Sequence, residues 1–255
     1  MRRLSYVVLV ACVITVGVHE HARADGYGYE PAPSSTPYSW RGFYLGAHVG
    51  GAWGSTDAYD SGGVVTLSDY WSAAPSGVVA GLQLGYNWLA GPVLYGLEGD
   101  LGYLGLAGSA TTTYVPLGYD TSTQTDSDFY LTLRARLGVI INKWALLYAT
   151  GGYIGTDTTV SILGACDAAL VCSTPTVGGS NSSFRSGWTL GGGLEGELGQ
   201  DVGGGAWTAK VEYLYYDLGS TSVTTNIGGA INTWTLETDG SLVRAGLNYR
   251  FGGPN

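Results

Sequence analysis

The sequence predicts an all-β fold, an eight-stranded antiparallel up-and-down transmembrane β-barrel, on three observations. Residues 241–251 alternate between apolar side chains such as Val243 and Leu247 and polar ones such as Arg244 and Arg250. Similar alternation recurs in earlier segments, and the connections between these segments are short and long in turn. A period of two indicates a strand between two environments. An even number of strands with short turns at one end is typical of membrane-spanning barrels.

Eight predicted strands account for about half of the chain after its first 40 residues, and ten of their charged side chains fall on one face. The strands comprise residues 41–53, 77–88, 93–106, 128–141, 145–155, 185–198, 206–218 and 241–251. Because charged groups are costly in hydrocarbon, we expect the charged face to point into the lumen and the apolar face toward lipid. The fifth strand has apolar or small residues on both faces, so its facing is left open.

The composition favours a barrel over a helical membrane protein. Charged residues make up only 12% of the 255 residues, and 43 residues are glycine. Beyond the N-terminus, no apolar run reaches the roughly 18 to 20 residues that a membrane-spanning helix needs. Only helices and closed barrels satisfy the backbone hydrogen-bonding groups in lipid, so a membrane role requires strands.

The chain divides into four predicted parts. Residues 1–24 have the basic head, the apolar core and the Ala22-Arg23-Ala24 site of a cleaved signal peptide. Residues 25–40 form a Pro-, Tyr- and Ser-rich periplasmic tail, residues 41–251 form the barrel, and residues 252–255 are a short C-terminal extension. A lipoprotein signal at Cys12 is the alternative for the leader, but the apolar run continues beyond that cysteine.

The predicted mature chain is acidic. Without Arg2, Arg3, Arg23 and Glu20 of the leader, the 11 basic and 20 acidic residues of the full sequence fall to 8 and 19, a net charge of −11. This charge argues against nucleic-acid binding, which needs a basic surface. The predicted long connections contain Asp57, Asp60, Asp69, Asp120, Asp126, Asp157, Asp167, Glu237 and Asp239. These residues could hold divalent cations, but no calcium-loop spacing is present, and a role in solubility is favoured.

Ten charged residues on the predicted strands face inward, five acidic and five basic. They are Glu98, Asp100, Arg134, Arg136, Glu195, Glu197, Lys210, Glu212, Arg244 and Arg250. The acidic residues of the third strand are expected beside the arginines of the fourth. The interior of an eight-stranded barrel is just wide enough for side chains to fill it. We therefore expect an ion-paired plug, with the selectivity filter of a pore as the alternative.

Tryptophans mark both ends of the predicted strands. Trp40, Trp88, Trp144 and Trp207 are expected at the short-turn end, and Trp53 and Trp188 at the long-loop end. Because tryptophan is enriched at membrane–water interfaces, these six residues predict two aromatic girdles.

Few residues suggest chemistry. His48 is the only histidine after the leader, so we expect no multi-histidine metal site. No motif places a serine opposite it, so we expect no enzymatic activity. Hemin binding through His48 or a loop tyrosine is a weaker alternative. Cys166 and Cys172 lie in one predicted loop of an exported chain, where they could form a disulfide that stabilises the loop by roughly 2–3 kcal/mol.

Seven stretches of the sequence resemble a known family. They are WRGFYLGAHVG, GLQLGYNW, YGLEGDLGY, LRARLGV, LLYATGGY, KVEYLYYDLG and VRAGLNYRF. They are similar to sequences of the small outer-membrane barrel family of alpha-proteobacteria, whose members are often described as porin-like proteins or surface antigens, some of which bind hemin. The resemblance covers about residues 38–251. It implies that the protein is located in the outer membrane of a Gram-negative cell. Such barrels typically end on the terminal aromatic residue, whereas this chain continues past Phe251.

The sequence therefore predicts a structural, surface-exposed protein of the cell envelope. Its expected partners are outer-membrane lipids and lipopolysaccharide, the barrel-assembly machinery, and host or envelope molecules that contact the loops. A small cation-preferring porin for passive diffusion is the first alternative, because the loops are acidic. A hemin-binding or adhesive surface protein is the second. The oligomeric state is left open.

Overall fold

The computed structural model describes residues 40–60, 70–114, 119–166, 177–201, 204–227 and 230–251. The predicted signal peptide, the periplasmic tail before Trp40 and the C-terminal extension lie outside the described residues. Every regular element in the described ranges is a β-strand. None of these ranges contains a helix that is long and apolar enough to cross a membrane.

Nine antiparallel strands form one sheet. They are β1 (Gly42–Asp60), β2 (Tyr70–Ala73), β3 (Ser76–Ala90), β4 (Val93–Tyr114), β5 (Tyr119–Asn142), β6 (Ala145–Cys166), β7 (Val177–Gln200), β8 (Ala206–Ile227) and β9 (Ala230–Arg250). Each long strand pairs with the next long strand along the chain, and β1 also pairs with β9, so the sheet closes on itself. The eight long strands form the predicted up-and-down barrel, and the fold class is confirmed.

The short strand β2 is the outer part of an interrupted strand. Both β2 and β3 pair with β1, and β2 does so through neighbours such as Thr56↔Ala73. Pro75 lies at the break and has no N–H to donate to the sheet. Its carbonyl oxygen accepts a hydrogen bond of 2.9 Å from the Gly54 N–H. The break therefore leaves β2 beside β1 without adding a ninth strand to the barrel wall.

The strands are longer than the sequence predicted. β5 and β7 each have 24 residues, whereas a strand needs only about 9–11 residues to cross a membrane. Much of the predicted loop 219–240 is strand, paired up to Ile227↔Ala230. Threonine is frequent in this segment and favours extended structure. The long connections are therefore largely hairpins that continue the barrel wall.

Successive residues face opposite sides of the barrel wall. On β5, the Leu133 side chain is 61% exposed and the next residue, Arg134, is 1% exposed. The facing of β6, which the sequence left open, follows from burial: Tyr148 and Ile154 point into the lumen, and Leu147 points outward. The outer surface is therefore apolar, and the charged side chains are enclosed.

Tight turns join the strands at one end of the barrel, which we name the short-turn end. Gly91 adopts a positive φ of 60° between β3 and β4. Between β5 and β6, the Trp144 N–H donates to Asn142 Oδ1 at 3.0 Å. Between β7 and β8, the Gly205 N–H donates to Asp201 Oδ1 at 2.8 Å. The opposite end, which the extended hairpins form, is the hairpin end.

Candidate functional site

Eight charged side chains fill the middle of the lumen, and we name them the lumenal charge cluster. The cluster consists of Glu98, Asp100, Arg134, Arg136, Glu195, Lys210, Glu212 and Arg244. These four acidic and four basic residues come from β4, β5, β7, β8 and β9. All eight are buried, and their formal charges balance.

Glu98 lies at the centre of the cluster. Lys210 Nζ is 3.0 Å from both of its carboxylate oxygens. Arg136 Nη1 is 3.4 Å from Oε2, Arg244 Nη2 is 3.6 Å from Oε1, and Arg134 also donates to Oε1. Because Glu98 is on β4 and Lys210 is on β8, their contact crosses the lumen. One carboxylate therefore joins cations from three strands.

Asp100 and Glu212 share two arginines. Arg134 places Nη2 at 2.7 Å from Asp100 Oδ2 and Nη1 at 3.1 Å from Glu212 Oε1. Arg244 places Nη2 at 3.0 Å from Asp100 Oδ2, and its Nε donates to Glu212 Oε2 at 2.7 Å. A guanidinium presents several donors in a fixed plane, so each arginine can link carboxylates from different strands.

Glu195 extends the cluster toward the short-turn end. Arg136 Nη2 lies 2.7 Å from its Oε2. Its Oε1 accepts hydrogen bonds from Thr208 Oγ1 at 2.6 Å and from Asn248 Nδ2 at 2.9 Å. The Arg136 guanidinium also lies 4.0 Å from the centre of the Tyr148 ring, a distance at which a cation is attracted by the aromatic face.

Uncharged side chains complete the hydrogen bonding of the carboxylates. The Tyr44 hydroxyl donates to Glu98 Oε2 at 2.7 Å, and the Tyr148 hydroxyl donates to Glu212 Oε1 at 3.0 Å. These two tyrosines were not predicted from the sequence as members of the site. On β1, the alternation that places His48 in the lumen also places Tyr44 there, so strand parity was the available signal for Tyr44.

Two of the ten predicted lumenal charges lie outside the cluster. Glu197 is only partly buried and sits next to a bulge at the β7–β8 turn. Arg250 is the last residue of β9, where its Nη1 donates to the Arg41 carbonyl oxygen at 3.1 Å. Both residues lie at the short-turn end, because each is placed two or more residues beyond the cluster on its own strand.

His48 lies in the lumen wall beside the cluster. Arginine can only donate, so Arg244 Nη1 donates to His48 Nε2 at 3.3 Å. The Nδ1–H then donates to Gln83 Oε1 at 3.2 Å. The Tyr130 hydroxyl also contacts Nε2. Both ring nitrogens are therefore engaged by protein groups.

Apolar side chains form a layer on each side of the charge cluster. The short-turn layer consists of Trp40, Leu94, Leu146 and Tyr148. The hairpin layer consists of Ala52, Val79, Leu104, Leu106, Tyr130, Ile154, Leu214, Tyr216, Leu218 and Leu242. The alternation in the sequence did not predict these layers, because the inward face was expected to be polar along its whole length.

The hairpin layer encloses little free space. A cavity of about 20 Å³ lies among its residues, and its lining includes Leu104, Ile154 and Tyr216 together with Thr156 and Thr158. A cavity of this volume has room for about one water molecule.

Five of the six predicted girdle tryptophans reach the outer surface. Trp88, Trp144 and Trp207 do so at the short-turn end, and Trp53 and Trp188 do so at the hairpin end. Trp88 stacks on Tyr95 with ring centres 5.7 Å apart, and Trp207 meets the edge of Tyr249 at 5.2 Å. The tryptophans bracket the apolar outer surface between them.

Trp40 does not belong to a girdle, and that prediction was wrong. Its side chain is 2% exposed and packs against Leu94 and Leu146 inside the lumen. Trp40 precedes β1, so no strand alternation fixes its facing. An inward position buries the large apolar area of an indole at the mouth of the barrel.

Two further predictions concern metal and disulfide chemistry. Among the described residues, no group of three or more His, Cys, Asp or Glu side chains is arranged to hold a metal ion. Cys166 ends β6, and Cys172 lies outside the described residues. The disulfide between them stays a prediction.

Carboxylates gather on the outer surface just beyond the hairpin-end tryptophans. Asp239 pairs with Asp217 on β8 and with the β1 residue two positions beyond Trp53, so it lies outside the membrane-spanning band. Partial burial raises the pKa of Asp239, and the neighbouring negative charges, Asp217 first and then Asp57, raise it further. Folding therefore makes ionisation of Asp239 less favourable than it is in the unfolded chain.

We expect Asp239→Asn to stabilise the barrel at neutral pH and to change its stability less at mildly acidic pH. Because folding raises this pKa, the protonated Asp239 carboxyl contributes to the stability of the wild type. This contribution is fully present below the unfolded-state pKa and is lost as the pH rises through the folded-state pKa. Urea unfolding of the refolded variant and wild type at both pH values measures the effect. Asp157→Asn, at an exposed position on β6, is the matched control. Equal behaviour of the two variants would contradict the prediction.

Comparison with known proteins identifies relatives along the whole barrel. The family described as outer membrane protein beta-barrel domain matches residues 8–251. The chain is 31% identical to the 31 kDa outer-membrane immunogenic protein of Brucella melitensis biotype 1, across 96% of this chain and 99% of the relative. It is 27% identical to the 22 kDa outer membrane protein of Rhizobium leguminosarum bv. viciae, across 87% of this chain and 83% of the relative.

A solved structure shares the fold. The outer membrane protein OprG from Pseudomonas aeruginosa aligns with a TM-score of 0.51 and 12% identity, across 84% of this chain and 98% of that chain. At this identity the likeness concerns the fold alone. The sequence relatives and the family match carry the assignment: the chain belongs to the outer membrane protein β-barrel family, and it is a protein of the outer membrane.

Proposed function

We propose that this protein is a structural, surface-exposed component of the outer membrane whose lumen does not conduct ions. The observation that carries the proposal is the lumenal charge cluster between two apolar layers. A solute that crossed the lumen would have to separate buried ion pairs and pass both layers. Breaking a buried pair leaves an uncompensated charge and costs about 3–5 kcal/mol.

The lumen also argues for a role without catalysis. His48 is the buried histidine beside the cluster, and its ring nitrogens are engaged by Gln83, Tyr130 and Arg244. None of these partners is a nucleophilic serine, so the arrangement does not resemble a serine–histidine–acid site. The relatives are named outer-membrane proteins, two groups of them immunogenic. Surface exposure of this chain is consistent with those names.

The outer surface supports contacts with lipid and with molecules outside the cell. The apolar side chains between the tryptophans, such as Leu133 and Leu137, are exposed and suit the acyl chains of the membrane. The tryptophans suit its interfaces with water and with lipopolysaccharide head groups. The extended hairpins continue beyond this band and are available to partners.

Refolded protein in a planar bilayer is expected to give no single-channel conductance steps. The lumenal charge cluster offers no wide aqueous path, because its eight side chains are buried and paired across the barrel. The measurement is the current through bilayers that contain a known amount of inserted protein. Insertion is checked by the fluorescence of the exposed tryptophans in vesicles of the same lipid.

The two outcomes separate structural and porin functions. Inserted protein that remains silent supports the closed lumen. Discrete steps would overturn it, and a preference for cations in those steps would favour the small porin, because carboxylates surround the hairpin end.

A further inference from the structure

The barrel wall is open between β7 and β8 at the hairpin end. These strands pair from the short turn up to Trp188↔Asp217, although both continue beyond that pair. No pairing within the described chain joins residues 177–187 of β7 to residues 218–227 of β8. We name these two facing segments the β7–β8 cleft.

A bulge in β8 opens the cleft. The pairing of β8 with β9 shifts register between Asp217 and Ser220. Gly219 adopts a positive φ of 65° there, and its N–H donates to Asp217 Oδ1 at 2.7 Å. A bulge bends the strand that carries it. At the base of the cleft the two strands are still in tight contact, because a Cβ at Gly187 would collide with the Asp217 carbonyl oxygen.

Arg185 marks the base of the cleft. Its Nη2 donates to the Gly219 carbonyl oxygen at 2.9 Å, and its Nη1 donates to Thr238 Oγ1 at 2.7 Å. One side chain of β7 thus replaces the backbone pairing with β8 at the point where the strands separate. Beyond Arg185, no backbone pairing joins the two strands in the described chain.

Each strand of the cleft has one satisfied edge and one open edge. In the cleft, β7 pairs with β6 on its other side, and β8 pairs with β9 up to Ile227. About half of the backbone N–H and C=O groups of each strand therefore face the cleft. Edge strands are usually blocked by lysine, proline or inward charge. Residues 218–227 contain no charged residue and no proline, and residues 177–187 contain only Arg185.

The surroundings of the cleft are acidic. Asp217 and Asp239 lie at its base on neighbouring strands, and Asp157 pairs with Phe184 on the β7 side. Beyond the hairpin-end tryptophans, Arg185 is the only basic residue in the described chain. A second copy of this chain would bring like charges together, which disfavours self-association through the cleft. A basic partner has the complementary charge.

We propose that the β7–β8 cleft binds an extended, basic polypeptide segment, which adds as a strand to the open edge of β8. Strand addition supplies affinity through backbone hydrogen bonds and specificity through alternate side chains. Phe184, 55% exposed beside the cleft, offers an apolar contact to one of those side chains. The cleft lies outside the lumenal charge cluster, so this proposal does not depend on whether the lumen conducts.

A synthetic peptide tests the proposal. The probe is a fluorescein-labelled peptide of alternating lysine and valine, and the target is the refolded full chain in zwitterionic detergent. Anisotropy is expected to show saturable binding. The same peptide methylated on every second backbone nitrogen keeps its charge but loses hydrogen-bond donors. It is expected to bind roughly tenfold more weakly or worse. Hydrogen exchange at residues 220–227 should slow with the unmethylated peptide alone.

Two lysine variants separate strand addition from charge attraction. Ser222→Lys places lysine on the open strand, where it opposes addition. Thr159→Lys adds the same charge to β6, which is paired on both sides. Ser222→Lys is expected to weaken binding of the unmethylated peptide roughly tenfold, and Thr159→Lys is expected to weaken it much less. Equal binding of both peptides, equal effects of both variants, or no saturable binding would each overturn the proposal.

Discussion

Glu98→Gln is expected to lower the free energy of unfolding by about 3–5 kcal/mol. Glutamine keeps the size and shape of the side chain but removes the charge that Lys210 and the surrounding arginines share. Glu98 is fully buried, so water cannot screen the cations that remain. Urea unfolding of the refolded protein in phospholipid vesicles, followed by tryptophan fluorescence, measures the loss.

Glu197→Gln is the matched control for this prediction. Glu197 is on β7, points toward the same lumen and undergoes the same chemical change, but it lies beside the β7–β8 turn and is only partly buried. Substitutions at such positions usually change stability by no more than about 0.5 kcal/mol. A comparable loss in both variants would show that the lumenal charge cluster contributes nothing specific.

Restoring charge balance is expected to recover part of the stability. Adding Lys210→Met to Glu98→Gln removes the cation whose Nζ lies 3.0 Å from both Glu98 oxygens. Replacing both members of a buried pair is far less costly than removing one. The losses in free energy of unfolding of the two single variants should therefore add up to more than the loss in the double variant. Simple additivity would show that the two residues are not coupled.

The sequence was sufficient to predict the barrel because alternation survives wherever one face meets lipid. On β9, Val243 and Leu247 are exposed and Arg244 is buried, as the period of two requires. The same rule failed on β6. There Leu146 belongs to the short-turn layer and Leu147 faces outward, so adjacent apolar residues carry no signal for facing. Apolar layers inside the lumen remove the contrast on which the pattern depends.

Neighbouring strands could be paired from the sequence, but contacts across the lumen could not. Arg134 lies directly opposite Glu98 in the β4–β5 pairing, and a register argument reaches that contact. The contact between Lys210 and Glu98 joins residues 112 positions apart in the chain. It depends on closure of the barrel and on a narrow lumen. Those properties belong to the assembled wall, so no local pattern encodes them.

The β7–β8 cleft shows a second limit of sequence patterns. Residues 219–240 were predicted as a loop, and the described residues among them instead continue β8 along one side of the cleft and begin β9. The local signs of the bulge are Gly219 and the aspartate two positions before it, and glycine is abundant throughout this chain. Where β8 leaves β7 depends on the Asp217 and Arg185 hydrogen bonds to Gly219. The Asp217 bond is local, but the Arg185 bond joins residues 34 positions apart in the chain, which meet only in the folded barrel.

Leu133→Arg is expected to destabilise the barrel in vesicles by about 2–4 kcal/mol, the cost of a charged residue on the lipid face near the bilayer midplane. Leu133 is exposed near the middle of the outward-facing residues of β5. Thr159→Arg is the control, because Thr159 lies beyond the hairpin-end aromatics, where the cost falls to about 0–1 kcal/mol. Urea unfolding in vesicles compares the two variants. Equal costs would mean that Leu133 does not face lipid.

The adjacent substitution Arg134→Leu is expected to destabilise the barrel for the opposite reason. It leaves Glu98 and Asp100 with one cation fewer inside the lumen, at a cost of about 3–5 kcal/mol. The two variants exchange the same residue types at neighbouring positions, and each should lose stability. A barrel with an apolar interior and a water-exposed exterior would tolerate Leu133→Arg and would become more stable with Arg134→Leu. Losses in both variants therefore require a charged lumen and an apolar surrounding on opposite sides of one strand.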